Sequence, residues 1–307
     1  MLSIISGGML STVQDLGRFG VMKDGFTQSG AMDQYSMKLA NALCGNGPNA
    51  PVIEMTALGI TARFTEEHIF CLSGGDFGAS LGGKPIERNR AYLAAAGDVL
   101  TVGGARSGMR CCLAIAGGFA VPEVMGSAST NLKLGFGGFE GRKLRAGDTL
   151  PVGAPSAKAK PGNSAPVREF GGGCTRLRVI MGPQDDMFTD TDKAFFLRQH
   201  YTATAGLGRM GLRLSGIALK GKNGTDIISD GIVFGSVQIT RSGMPIILAA
   251  DHQTTGGYAK IATVISVDLP LLAQIKPFDT ICFSAVSVRE AEKLAAKEKK
   301  FFDKLFR

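Results

Sequence analysis

Strand-length apolar runs, each cut short by glycine, proline or an Asp-led turn, set the limits on what this chain can fold into. Its 307 residues include 43 glycines and no tryptophan. Such spacing suits turns and strands better than long helices. Strands are expected at residues 2–6, 60–64, 69–73, 99–102 and 110–116. Further candidates run over 177–181, 212–214, 235–240, 246–250, 261–267 and 280–285. A turn-then-strand phrase recurs in "AGDVLTV", "AGDTLPV" and "KPFDTICF". In each, an Asp that can bond nearby backbone follows a Gly or Phe and precedes alternating apolar residues.

Helices are few. Asp33 to Cys44 reads as one, with Met32, Tyr35, Leu39 and Leu43 on a shared face, Asp33 as cap and Gly45 as terminator. Ser287 and Glu290 form a capping box for a last helix. A short helix is expected near 192–199. The stretch "PVGAPSAKAKPGNSAPVREFGGG", residues 151–173, has no sustained period and reads as a linker. It divides the chain into an N-terminal β domain, 1–150, and a C-terminal β domain, 174–307, that ends in a helix.

The formal charge of +8 is concentrated in the linker and in residues 289–307. Neither stretch interleaves basic residues with aromatic stacking partners, so nucleic acid is not an expected partner. No apolar run approaches the ~18 residues of a membrane span, and no signal peptide is read at Met1, so a cytoplasmic chain is expected. The six cysteines lack C-x-x-C spacing and read as reduced thiols; adjacent Cys111 and Cys112 should face opposite sides of a strand. His68, His200 and His252 have no ligand spacing, so no metal site is expected. "GLGRMG" matches the dinucleotide fingerprint in letters, yet the alternating "LRLSG" that follows is a strand pattern, where the fingerprint requires a helix.

Three longer stretches carry more information: "TVQDLGRFG" from Thr12, "QSGAMDQYSMKLANALCGN" from Gln28, and "ADHQTTGGYAKIATVISVDLPLLAQIKPFD" from Ala250. With "GGFEGRKLRAGD", "GPQDD" and "GRMGLRLSG", they resemble the family of the 5-oxoprolinase C component, also called KipA-like, which is related to carboxyltransferases. The resemblance spans nearly the whole chain. It implies a mainly β fold of two cyclophilin-like β-barrel domains with a few covering helices. It also implies work beside the B-like and A-like components of 5-oxoprolinase, with ATP and Mg used by the complex to convert 5-oxoproline to glutamate. Two other activities occur among related proteins: a biotin-dependent carboxyltransferase of the urea carboxylase type, and a non-catalytic regulatory partner. No biotin-carrier segment is read in this chain. His252 stands where the family pattern has Arg, Phe19 where it has Pro, and Phe278 where it has Gly.

The residues themselves point to a pocket for a small anion. In the third stretch Gln253, Thr254 and Thr255 offer neutral donors and acceptors, while Gly256 and Gly257 let backbone approach a ligand closely. Tyr258 can cover an apolar face and Lys260 can pair with a carboxylate. Gln14, Asp15 and Arg18 share a short loop, in which Asp15 is expected to hold Arg18 by a charged hydrogen bond. Ser29, Gly30 and Asp33 stand at a helix start, where anions are favoured; a plain N-cap is the simpler role for Asp33. Glu54 is a candidate base or orienter, and Arg209, alternating with Arg213, is a candidate anion ligand. Asp15, Arg18, Arg209 and Lys260 are the expected catalytic group.

Overall fold

A computed structural model describes residues 1–171 and 173–307; Gly172, within the expected linker, lies outside the described residues. The chain divides into two compact units. Unit 1 comprises Met1–Phe19, Ser29–Phe170 and Phe301–Arg307, and unit 2 comprises Gly20–Gln28 and Gly171–Lys300. The segment read as a linker therefore groups, up to Phe170, with unit 1, as do the last seven residues.

Unit 1 holds strands β1 (Leu2–Ser6), β2 (Leu10–Gln14), β3 (Val52–Thr56), β4 (Thr61–Phe64), β5 (His68–Asp76) and β6 (Ser80–Leu81). β7 (Lys84–Pro85), β8 (Ala91–Ala94), β9 (Val99–Thr101), β10 (Ser107–Ile115) and β11 (Thr149–Leu150) complete it, with one helix, α1 (Gln34–Leu43). The strands form a six-stranded sheet, β11-β1-β4-β9-β6-β7, and a five-stranded sheet, β2-β3-β10-β5-β8. Both contribute to one core, including Leu2, Ile4, Phe64 and Leu100 from the first sheet and Ile53, Phe70, Cys111 and Leu113 from the second. Residues on the other face of the second sheet, Val52, Cys71, Cys112 and Ala114, pack on Met37, Ala40 and Leu43 of α1. Cys111 and Cys112 do face opposite sides, as strand alternation requires.

Unit 2 adds β12 (Thr175–Met181), α2 (Asp190–Arg198), β13 (Tyr201–Leu207), β14 (Gly211–Ser215), β15 (Asp226–Gly231) and β16 (Ser236–Ile239). It continues with β17 (Pro245–Leu248), β18 (Thr255–Tyr258), β19 (Lys260–Val264), α3 (Leu269–Ala273), β20 (Thr280–Ala285) and α4 (Val288–Leu305), whose final turn belongs to unit 1. Seven strands close a barrel in the order β12-β19-β16-β17-β14-β13-β20. β15 and β18 form a separate two-stranded ribbon. The "GLGRMG" stretch joins β13 to β14 as a hairpin, so no helix follows it. Phe196 of α2 stacks on Phe283 of β20 at 4.5 Å between ring centroids, which fixes α2 on the barrel. The mainly β expectation holds: the described residues contain a closed barrel, three further sheets and four α-helices.

The recurring turn phrase has one geometry throughout. Asp98, Asp148 and Asp279 each accept, on Oδ2, the backbone N–H three residues earlier, at 2.8, 2.9 and 2.9 Å. The residue before each Asp has positive φ: Gly97 (+92°), Gly147 (+90°) and Phe278 (+72°). Glycine adopts this conformation without steric cost, whereas Phe278 carries a Cβ in the left-handed region. Its ring is 73% exposed and so gains little from packing. Phe278→Gly should therefore raise stability by about 0.5–1 kcal/mol, the relieved strain exceeding the added chain entropy. Urea unfolding monitored by circular dichroism checks this; a lower midpoint would mean that the ring holds the turn.

Candidate functional site

In unit 1 the residues singled out in the sequence converge at the start of α1. β2 ends at Gln14, so the Asp15–Arg18 loop leaves the sheet edge beside the incoming Ser29–Asp33 segment, and the Ala31 N–H donates to the Asp15 carbonyl at 2.8 Å. Gln14, Asp15, Arg18, Ser29, Asp33 and Glu54 are each at most 2% exposed. Buried groups of this kind must find partners within the protein. The Asp15 carboxylate accepts four: the Ser127 hydroxyl (2.6 Å), the Ser129 hydroxyl (2.5 Å), and the backbone N–H groups of Gly17 (2.8 Å) and Ala128 (2.7 Å).

This arrangement corrects the expected Asp15–Arg18 pair. Asp15 is saturated by Gly17 and the 127–129 segment. Arg18 instead donates to the carbonyls of Val124 (3.1 Å) and Ser129 and lies over the Phe136 ring, 4.7 Å from its centroid. Carbonyl acceptors and an aromatic face can hold a guanidinium in place of the Asp15 carboxylate. Gly137 (φ +71°) leaves the space that the guanidinium occupies, since a Cβ there would collide with Arg18 and with the Ser129 carbonyl.

The α1 N-terminus is likewise engaged by the chain's own carboxylates. Glu54 is fully buried, against the ordinary expectation for a lone Glu at a strand end. Its Oε1 accepts from the backbone N–H groups of Met32 (2.7 Å) and Asp33 (3.2 Å). Asp33 is an N-cap, accepting from the Ser36 N–H at 2.9 Å and the Ser36 hydroxyl at 2.7 Å. The partial positive charge of the helix start is thus met internally. Ser29 takes positive φ (+57°), followed by Gly30 at +94°; the Ser29 hydroxyl accepts from Asn131 at 3.3 Å. The Gln14 amide donates to Thr12 Oγ1 (2.9 Å) and the Thr130 carbonyl (3.2 Å), while its Oε1 is buried with no partner among the described residues. That oxygen is where a bound donor, from solvent or ligand, would fit.

Ser127, Ser129, Thr130, Asn131 and Phe136 complete this cluster and are not among the candidates expected from the sequence. A signal existed: "GSASTN", residues 126–131, is a run of small hydroxyl and amide residues of the kind that satisfies a buried carboxylate.

In unit 2 the remaining candidates fall into two groups. Arg209 and Asp251 form a buried two-point pair, Nε–Oδ2 at 2.8 Å and Nη2–Oδ1 at 3.0 Å. Arg213 lies on the exposed face of β14 and is no part of this pair. Beside Asp251, His252 is 1% exposed, and its Nδ1 lies 2.6 Å from the Gln253 carbonyl. Burial holds its pKa below the usual imidazole range.

The second group is the ribbon. Residues 255–258, not among the expected strands, are strand β18 paired with β15. Neither Gly256 nor Gly257 has positive φ. Gly256 is needed for space, because a Cβ there would lie 2.5 Å from Ile232 Cδ1 and 2.8 Å from Gln238 Nε2. Gln253 and Thr255 are exposed, Thr254 and Tyr258 half-buried. Lys260 is 4% exposed, and its ammonium donates to Asp230 and to the Gly231 carbonyl (2.8 Å), so it clamps the ribbon to β19. The Lys260 hydrogen bond holds the Asp230 carboxyl below its usual range.

These contacts lead to two measurable outcomes. Asp15→Asn replaces an acceptor oxygen by an amide donor facing other donors; it should cost roughly 2–4 kcal/mol, against about 1 kcal/mol for Ser127→Ala, in urea unfolding. Equal small losses would show the carboxylate to be dispensable. For His252 the folded pKa is depressed, so the unfolded chain binds the proton more readily and stability falls as pH drops through the ordinary imidazole range. Unfolding measured from about pH 7.5 to 5.5 should show this loss, and His252→Gln should flatten it; an unchanged slope in the variant would assign the effect elsewhere.

With the geometry established, similarity to known proteins places the chain. The family model described as carboxyltransferase domain, subdomain A and B, matches residues 24–285. The chain is 38% identical over 309 residues to the C subunit of 5-oxoprolinase from Haemophilus influenzae, covering 100% of this chain and 98% of that protein. It is 39% identical over 305 residues to the protein of the same name in Escherichia coli, covering 99% and 97%. The crystal structure of the K. lactis urea amidolyase superposes with a TM-score of 0.93 at 29% identity; the match covers 99% of this chain but spans only 20% of that chain. The extent of these matches, through both units, shows that the chain belongs to the carboxyltransferase domain, subdomain A and B, family.

Proposed function

We propose that this chain is the C component of an ATP-dependent 5-oxoprolinase, acting with B-like and A-like partner components to open 5-oxoproline to glutamate. The observation that carries the reading is the end-to-end match at 38–39% identity to proteins named as the C subunit of 5-oxoprolinase, with 98% and 97% of their lengths covered. A lactam nitrogen is a poor leaving group, and the ring carbonyl is stabilised by resonance. Phosphorylation of the carbonyl oxygen makes the carbon electrophilic and couples ring opening to ATP. ATP and its Mg are assigned to the complex and to no particular residues of this chain.

The paired state of the side chains supports a positioning role. Asp15, Glu54, Asp230 and Asp251 all accept hydrogen bonds from within their own units. Groups held in this way shape and stiffen a binding surface, and positioning is a large part of what such a reaction needs from protein. Within unit 2 the exposed Gln253 and Thr255 remain to meet a substrate's amide and carboxylate.

A second reading, carboxylate transfer with biotin, is favoured by the TM-score of 0.93 to the urea amidolyase structure. Reconstitution separates the two. Purified candidate partners with this chain should hydrolyse ATP in a 5-oxoproline-dependent manner, and omission of the chain should abolish it. ATP turnover that ignores 5-oxoproline, or proceeds equally without the chain, would contradict the assignment. Carboxybiotin-dependent transfer to a urea-like acceptor would favour the second reading.

A further inference from the structure

Cys174, His200 and Cys282 are distant in sequence, and histidine spacing gave no reason to expect ligands among them. The barrel brings them together. β20 lies between β12 and β13, parallel to the first and antiparallel to the second. Thr175 pairs with Ile281, so Cys174, one residue earlier, flanks Thr280 and sits diagonally from Cys282. Tyr201 also pairs with Ile281; continuing that antiparallel register by one residue sets His200 directly across from Cys282. Ile281 and Phe283 share one face of β20, and Cys282 takes the other. The two sulfurs and a ring nitrogen of His200 all lie within 4.8 Å of one another.

We propose that Cys174, His200 and Cys282 form a zinc-binding site on the outer face of the unit 2 barrel. Tetrahedral zinc with Zn–S of about 2.3 Å and Zn–N of about 2.0 Å needs ligand atoms about 3.5–3.8 Å apart. The three ligand atoms, within 4.8 Å of one another, stand close to that spacing. Two thiolates and a neutral imidazole make a soft, borderline donor set that suits Zn²⁺ and disfavours Mg²⁺ or Ca²⁺. The thiolates balance the charge of the ion, and water takes the fourth position. Access is open, because Cys174 and His200 reach solvent, while Cys282 is 5% exposed and anchors the site.

The protons balance in a stated way. Zinc binds cysteine as thiolate, so binding releases thiol protons and its affinity rises with pH. No bond to carbon forms and no oxidation state changes. The consequence is mechanical: one ion links the starts of β12 and β13 to the centre of β20, three adjacent staves of the barrel. Binding to the folded chain alone raises its stability.

The test uses the full chain, reduced and stripped of metal. Co²⁺ serves as the optical probe, and Zn²⁺ competes against a chromophoric chelator. The expected result is one ion per chain, thiolate-to-cobalt charge-transfer and tetrahedral d–d bands, and a zinc-dependent rise in melting temperature. Cys174→Ser and His200→Ala, both at exposed positions, should fold normally by circular dichroism. Each should weaken zinc binding by at least about 100-fold and remove the thermal shift. Wild-type binding that survives both variants, or absence of binding, would overturn the proposal. So would a Cys174–Cys282 disulfide that forms in air and is found by mass spectrometry in a chain that, when reduced, takes up no zinc.

Discussion

The buried carboxylate of Asp15 is the contact on which the arrangement of unit 1 turns. Its four donors come from its own loop and from Ser127–Ser129, more than a hundred residues further along. A carboxylate removed from water is stable only when its lone pairs are met in this way. Once it is fixed, much else follows. Its carbonyl receives Ala31, which sets the approach to α1. The same segment supplies the Ser129 carbonyl to Arg18 and the Thr130 carbonyl to Gln14. Glu54 then meets the incoming Met32 and Asp33 amides from the sheet below. Loop, helix start and sheet are thereby locked by charge-assisted hydrogen bonds, with little left to rotamer freedom.

The same logic operates in unit 2 with the charges reversed. Arg209 and Lys260 are buried cations, and Asp251 and Asp230 neutralise them. Family resemblance drew attention to the cations, and the structure shows that each is part of a pair. The pairs fix the ends of β14, β15 and β19 and so determine how the polar residues of β18 are displayed. His252, where the family pattern has Arg, lies buried next to Asp251, so the substitution changes the charge within this group.

Much of the architecture was legible because it is written in local periods. Strand β20 was expected at 280–285 and is found at Thr280–Ala285; the capping box of Ser287 and Glu290 is formed in both directions. The Asp-led turns read as one motif and share one geometry. β18 was missed because "TGGY" has no alternation and carries paired glycines, which signal a loop unless the partner strand is known. Partner choice was the main thing hidden. Nothing near Asp15 in sequence announces Ser127 or Ser129, and nothing near His200 announces Cys174 or Cys282. Those pairings are set by strand register, a non-local property that a single sequence does not display.

The central claim is that the Asp15 and Glu54 carboxylates hold their backbone donors at the start of α1 shut away from solvent. Amide hydrogen exchange tests it directly at Gly17, Ala128, Met32 and Asp33, the four backbone donors to Asp15 and Glu54. The account predicts that these amides exchange only as fast as those of the central strand β10, through unfolding of the whole unit. Rapid exchange at these four while β10 stays protected would mean that the carboxylates are open to water, and the account would fail.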